Sequence, residues 1–246
     1  DLVFESMNEE FDGTYGTPSS TAYANINAYN QIFVDTVRQT GGNNAKRWLM
    51  IPGWNTNITY TVGNYGFSLP TDNYRDRSIS TPRIMISVHY YDPWDFCGEE
   101  SSNVTQWGDT ATNSAKTSSW GDESALKSQF SSLYNKFVAA GYPVVIGEYG
   151  SIDKSAYDST SAAQRAEFAK KVCTYAKKYG MVPVLWDNGY TGTYGFGVID
   201  RSTCKVTQQK IIDAIASVYP KSSNSNSSSS SNSSNSSASS LEGTYY

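Results

Sequence analysis

The sequence predicts an α/β fold built from parallel strand and helix units, and three observations carry that expectation. Five short apolar runs alternate with about five segments of helical spacing, the order expected of β/α units rather than of a sandwich. The runs give way to polar or aromatic loops bearing Asn8-Glu9, Trp54, His89 with Tyr91, Glu148 and Trp186. At 246 residues, 38% hydrophobic and 17% charged, the chain is long enough to bury a sizeable core as one unit. In parallel folds of this kind the loops after the strands build the functional site, so these residues would collect on one face.

Leu2 to Met7 reads as the first strand, running into Asn8-Glu9-Glu10. Glu5 and Glu9 share strand parity, which would set Glu5 below Glu9 in a buried polar layer unless a bulge intervenes. From about Tyr23 to Gln39, Ile26, Tyr29, Phe33, Val34 and Val37 mark one helical face, and Gly41-Gly42 is a stop signal. Arg47 to Pro52 makes the second strand. Between Gly53 and Thr81 every periodic pattern is interrupted, and a short helix near Asp72 to Arg77 is the element that fits.

Arg83 to His89 is the third strand, ending in His89-Tyr90-Tyr91-Asp92-Pro93. A polar, aromatic loop then carries Trp94, Trp107 and Trp120 to a helix from about Asp122 to Ala140, where Leu126, Phe130, Leu133, Phe137 and Val138 keep helical spacing. Pro143 to Gly150 is a β-branched run bounded by Pro and Gly, and it delivers Glu148 where the chain must turn. Ser161 to Tyr179 is the next helix, with Ser161 and Gln164 spaced as a capping box. Met181 to Trp186 gives the fifth strand, and Val206 to Val218 the last helix.

Beyond Pro220 the chain is almost pure Ser and Asn, which cannot bury a core. The expected organisation is a folded unit over 1–219, a flexible linker over 220–240, and the first residues of a further module over 241–246.

A net charge of −4 gives no basic footprint for nucleic acid or an anionic membrane surface, so the expected partner is uncharged or cationic. No apolar run approaches the roughly 20 residues that span a bilayer. The 19 Tyr offer flat apolar faces with polar edges suited to sugars or peptides, although core packing claims part of them. Asp1 to Glu5 lack the basic start and apolar stretch of a signal peptide, and there is no initiator Met, so processing or truncation is expected. Sequons at Asn57-Ile58-Thr59 and Asn103-Val104-Thr105 are compatible with secretion, as are chance tripeptides in Asn- and Ser-rich sequence.

Cys97, Cys173 and Cys204 show no zinc or redox spacing; a Cys173–Cys204 disulfide is open, as are free thiols. His89 is the single histidine, which excludes His-rich metal sites, and neither GxSxG nor HExxH occurs. No metal and no cofactor are expected. What remains is a pair of strand-end carboxylates. Two carboxylates converging at one barrel mouth meet the requirement for glycoside hydrolysis, one as nucleophile and one as acid then base. Glu9 and Glu148 are the candidates; the plainer reading makes Glu148 an ordinary polar residue opening a loop. Trp54, Trp94 and Trp107 stand between loop packing and sugar stacking.

Four motifs, "MNE", "HYYDP", "VVIGEYG" and "LWDNG", taken in this order, resemble glycoside hydrolase family 5, and its endoglucanase-rich subfamily 4 in particular, over about Asp1 to Val218. The resemblance implies a (β/α)8 TIM barrel and a retaining mechanism with Glu9 as acid/base and Glu148 as nucleophile. It implies that Asn8 bonds the sugar 2-hydroxyl, that His89 and Tyr91 support the carboxylates and substrate, and that Trp186 forms the sugar platform; Trp54, Trp107 and Asn188 are added as candidate substrate contacts from their places in the chain. The implied substrate is a β-glucan polysaccharide or oligosaccharide, cut as by an endo-β-1,4-glucanase, and the implied location extracellular. Xyloglucanase, lichenase, xylanase and mannanase are the neighbouring alternatives; a non-catalytic carbohydrate-binding protein is the alternative of another class.

Two departures qualify this. Glu10 stands where the family usually has Pro after "NE". The chain also begins in what would be the fourth of the eight strands. The expectation is therefore an incomplete barrel holding about the last five β/α units, lacking the units that would carry an active-site arginine and a second histidine. Such a chain alone is expected to have little or no activity, its full-length parent being the glucanase, with a C-terminal carbohydrate-binding or docking module beyond the linker.

Overall fold

Apolar and β-branched runs form the strands. In the computed structural model, which describes residues 2–220, β1 (Phe4–Glu5), β2 (Leu49–Asn57), β3 (Ile84–Tyr90), β4 (Val144–Tyr149) and β5 (Val182–Leu185) make one sheet in the order β1-β2-β3-β4-β5, every neighbouring pair parallel. The expected linker at 220–240, apart from Pro220, and the expected module at 241–246 lie outside the described residues. Neighbouring parallel strands require a crossover between them, and helices supply it. α1 (Ser20–Gln39) follows β1, α2 (Ile58–Val62) follows β2, α3 (Trp94–Cys97) and α4 (Glu123–Lys136) follow β3, and α5 (Ser161–Lys178) follows β4. A two-stranded antiparallel ribbon, β6 (Ile199–Asp200) with β7 (Lys205–Val206), precedes α6 (Gln209–Val218). The five strands form a half-barrel arc of the expected (β/α)8 type, with β1 and β5 at its edges.

The core lies between the strands and their helices. Leu49, Ile51, Ile86, Val88, Val144 and Ile146 are buried against Val34, Phe130, Leu133, Phe168 and Val172. Helix starts are fixed by side chains: the Ser19 hydroxyl accepts from the Ala22 N–H, and Asp122 accepts from the Ala125 N–H at 2.9 Å. Fully buried Arg38 on α1 bonds Asp72 at 3.0 Å and the backbone carbonyls of Asn44 and Arg47, tying α1 to the segment before β3.

Several expectations change. Asp72 is spent on Arg38, and no helix forms over 72–77. β1 is two residues long and Glu5 is exposed, so there is no buried layer beneath Glu9. Ser161 and Gln164 do not form a capping box: Gln164 accepts from the Trp107 N–H and donates to the Thr110 carbonyl, while Ser161 Oγ accepts from the Lys154 N–H. Cys173 and Cys204 are free thiols, one buried beside the Tyr149 hydroxyl and the other exposed. β2 continues five residues past Pro52, placing Trp54 inside the strand.

Candidate active site

The carboxyl ends of the strands bring the candidate residues together. A register shift in the β3–β4 ladder pairs His89 with Glu148, and another in the β2–β3 ladder pairs Asn57 with His89. Glu9 arrives from the loop after β1. That loop is held at the sheet by the Asn55 N–H, which donates to the Glu10 carbonyl at 2.9 Å. Glu10 also donates its own N–H to the Asn8 carbonyl, a bond that proline could not make.

His89 sits between the two acids. Its Nδ1 is 2.8 Å from Glu9 Oε1 and 3.5 Å from Glu148 Oε2, and the imidazole is nearly buried. The Tyr91 hydroxyl donates to Glu148 Oε2 at 2.8 Å. Burial, together with the bond to Glu148 and that residue's charge, pushes the Tyr91 hydroxyl far above the ordinary tyrosine range, so it stays a donor at any working pH. Gly147 permits the close fit: a Cβ there would stand 3.1 Å from Ser87 Oγ and 3.4 Å from His89 Nε2.

Ligand-type atoms of Glu9, His89 and Glu148 lie within 4.8 Å of one another. These are the residues that could hold a metal ion. Their hydrogen bonds already pair off: His89 Nδ1 with Glu9, and the Tyr91 hydroxyl with Glu148. Carboxyl groups about 5–5.5 Å apart belong to double displacement at a sugar carbon, whereas about 6.5–9.5 Å is needed to admit a water between them. Here one oxygen of each carboxylate lies within 4.8 Å of the other, short of the wider gap.

Two loops carry the surrounding residues. The β4–α5 loop grips the long β3–α4 loop through two buried side chains. Lys154 donates to the carbonyls of Asp95, Ser102 and Val104, and Asp158 accepts from Thr105, Gln106 and Lys116. The gripped loop begins with Tyr91, whose ring meets Trp94 edge-on at 6.3 Å and Phe196 at 5.8 Å.

Of the other expected contacts, Asn8 and Trp186 are exposed at the strand ends, Trp186 at 40%. Asn188 is exposed, but its carbonyl oxygen accepts from the N–H groups of Tyr190 and Phe196 and so shapes its own loop. Trp54 and Trp107 are corrected. Trp54 is 2% exposed and packs against Tyr23 and Phe11, because β2 runs through it. Trp107 is 3% exposed, donates its indole N–H to the Gly121 carbonyl, and meets Phe168 edge-on. Neither offers a ring face to a sugar. Sequence reasoning missed a cleft of about 430 Å³ beside Glu9, lined among others by Tyr15, Asn55, Asn57, Asp92, Trp94 and Gln129. Its signal was Asn-Thr-Asn at 55–57, hidden by ending the second strand at Pro52.

The family model described as cellulase (glycosyl hydrolase family 5) matches residues 1–192. The chain belongs to glycosyl hydrolase family 5. It is 64% identical over 216 residues to endoglucanase A of Paenibacillus barcinonensis, covering 87% of this chain and 54% of that one. Among solved structures, a family 5 xyloglucanase from Paenibacillus pabuli superposes with a TM-score of 0.86 at 66% identity, covering 88% of this chain and 61% of that one. A broad-specificity endoglucanase from Bacteroides salanitronis gives a TM-score of 0.78 at 38% identity, covering 89% and 57%. The chain thus spans somewhat over half the length of these relatives.

Proposed function

We propose that the protein bearing this chain is a retaining endo-β-1,4-glucanase that cuts internal bonds of β-glucans by double displacement. The observation that carries this reading is the convergence of Glu9 and Glu148 within 4.8 Å, with His89 between them. Glu148, held by Tyr91, is the nucleophile that attacks the anomeric carbon and forms a glycosyl ester. Glu9, more open at 44% side-chain exposure against 17% for Glu148, protonates the leaving oxygen and then takes a proton from the incoming water. Asn8 and Trp186 complete the glycone side, Asn8 at the 2-hydroxyl and Trp186 as the platform, with the exposed amide of Asn188 nearby. A polymeric substrate is met outside the cell, so secretion and a C-terminal carbohydrate-binding or docking module belong to the same proposal.

A second reading, hydrolysis of xyloglucan, is favoured by the 66% identity to the Paenibacillus pabuli xyloglucanase. Release of reducing ends by the full-length protein from carboxymethylcellulose, mixed-linkage β-glucan, xyloglucan, xylan and mannan decides among these substrates. Retention of the anomeric configuration in the first product, followed by NMR, tests the mechanism. Glucan binding that survives Glu148→Gln, with no reducing ends released by the parent, would leave a binding protein instead.

A further inference from the structure

Away from the cleft, two tyrosines stand as a pair. Tyr157, in the β4–α5 loop, and Tyr194, in the β5–β6 loop, hold their rings 5.7 Å apart and within 17° of parallel. Tyr157 is 62% exposed and Tyr194 half-buried. Apolar groups at a surface normally scatter singly. Here two rings meet beside a depression of about 340 Å³, and none of the residues lining it lines the cleft beside Glu9.

The pair is held rather than left to drift. Tyr194 has φ of 66°, a region that is costly for a bulky side chain. Backbone of this kind persists only where the surroundings enforce it, and it gathers at ligand sites. The enforcing bonds are at hand. The Tyr194 N–H donates to the Asp153 carbonyl at 2.7 Å, the Asp153 N–H donates to the Gly195 carbonyl at 3.0 Å, and buried Arg165 donates to the Ser151 carbonyl at 2.9 Å. On the other side the Tyr157 N–H donates to the carbonyl of Lys154, and both Lys154 and Asp158 are buried. Two anchored loops thus set the rings in place.

The rest of the lining says what would fit. Lys154 spends its ammonium on three carbonyls, and Lys116 pairs with Asp158 at 3.0 Å. Asn103 uses its amide N–H on the Ala115 carbonyl and Ser101 its hydroxyl proton on Glu99, so both are left with oxygens that accept; Glu100 is exposed and accepts as well. An anion would meet Glu100 and a cation would meet Lys116. A ligand with hydroxyls to donate, C–H faces to lay on tyrosine rings and no charge is a pyranose chain. We propose that Tyr157 and Tyr194, with Ser101, Asn103 and Glu100, form a second binding site, outside the catalytic cleft, for a neutral polysaccharide. The assignment goes beyond the retaining-glucanase reading and needs no turnover at this site.

The test uses the full-length protein. Hydroxyl-radical footprinting read by peptide mass spectrometry, with and without soluble β-glucan or xyloglucan, is expected to show Tyr157 and Tyr194 protected at least about threefold relative to Tyr134 on α4. Polygalacturonate is expected to leave them unprotected. Tyr157→Ala is expected to weaken retention in glucan-containing native gels about threefold to tenfold, while kcat/KM on cellotetraose stays within about twofold of the parent. Absence of protection by either neutral polymer would overturn the site, and so would a loss on cellotetraose as large as the loss of retention. A parent that hydrolyses no glucan would overturn the retaining-glucanase reading alone, since the footprint is read without turnover and still decides this inference.

Discussion

In the proposed mechanism Glu9 and Glu148 take different parts because their surroundings differ. Glu148 receives the Tyr91 hydroxyl and is mostly enclosed, which fixes one oxygen and leaves the other for the sugar carbon; Glu9 is nearly half exposed and held by His89. Removing the acid's proton should cost about 10²–10⁴ in kcat on glucan. Glu9→Gln is expected to show that loss, with a smaller loss on aryl glycosides whose leaving group needs little protonation, in steady-state assays. Tyr91→Phe deletes one hydrogen bond to a charged oxygen, and kcat is expected to fall about 10- to 100-fold with the fold intact by circular dichroism. That Glu9, His89 and Glu148 would meet was legible in the sequence, since each follows an apolar run and the strand ends of a parallel fold share one face. Trp54 and Trp107 were not, because an aromatic residue carries no mark of which side of a backbone it will face. The bulge decided it for Trp54, and the Gln164 bond to the Trp107 backbone contributed for the other.

The β4–α5 loop governs how the β3–α4 loop presents Tyr91 and Trp94, and Asp158 is its most connected group. Burial alone would raise this carboxyl's pKa, but bonds from Thr160, Thr105 and Lys116 outweigh that and hold it far below the usual range. A carboxyl depressed in the folded state stabilises the fold above its unfolded pKa of about 3.9. That contribution is lost as pH falls below about 4 toward the folded value. Denaturation midpoints measured between pH 7 and pH 3 should therefore fall more steeply for the parent than for Asp158→Asn. At pH 7 the variant should be less stable by about 1.5–3 kcal/mol, the scale of hydrogen bonds to a charged group, since Lys116 is partly exposed. Phe168, fully buried beneath Tyr90, Phe96 and Trp107, should cost about 3–5 kcal/mol when cut to Ala, read by the same method. The strands and long helices were readable because their apolar periods survive any context. The short α2 and α3, and the missing helix at 72–77, were not, because tertiary partners such as Arg38 set them.

The half-barrel has two edges among the described residues, and β5 shows Val182 and Val184 at 58% and 46% exposure. An apolar strand edge of this kind invites pairing with another chain. The polypeptide 1–246 alone is expected to associate as concentration rises in sedimentation velocity, and Val184→Lys to reduce that association. Unchanged monomers across the range would contradict it. The site nevertheless gathers residues from the ends of β2, β3 and β4 and the loop after β1 in one half of the architecture, which is why its chemistry can be read from this chain. The central claim is that Glu148 becomes covalently bound to sugar. The most direct measurement treats the full-length protein with a 2-deoxy-2-fluoro-β-cellobiosyl fluoride and locates the added mass by peptide mass spectrometry. The expected result is one cellobiosyl unit on the peptide containing Glu148, absent in Glu148→Gln; a labelled peptide lacking Glu148, or turnover that inverts the anomeric centre with no label at all, would contradict it.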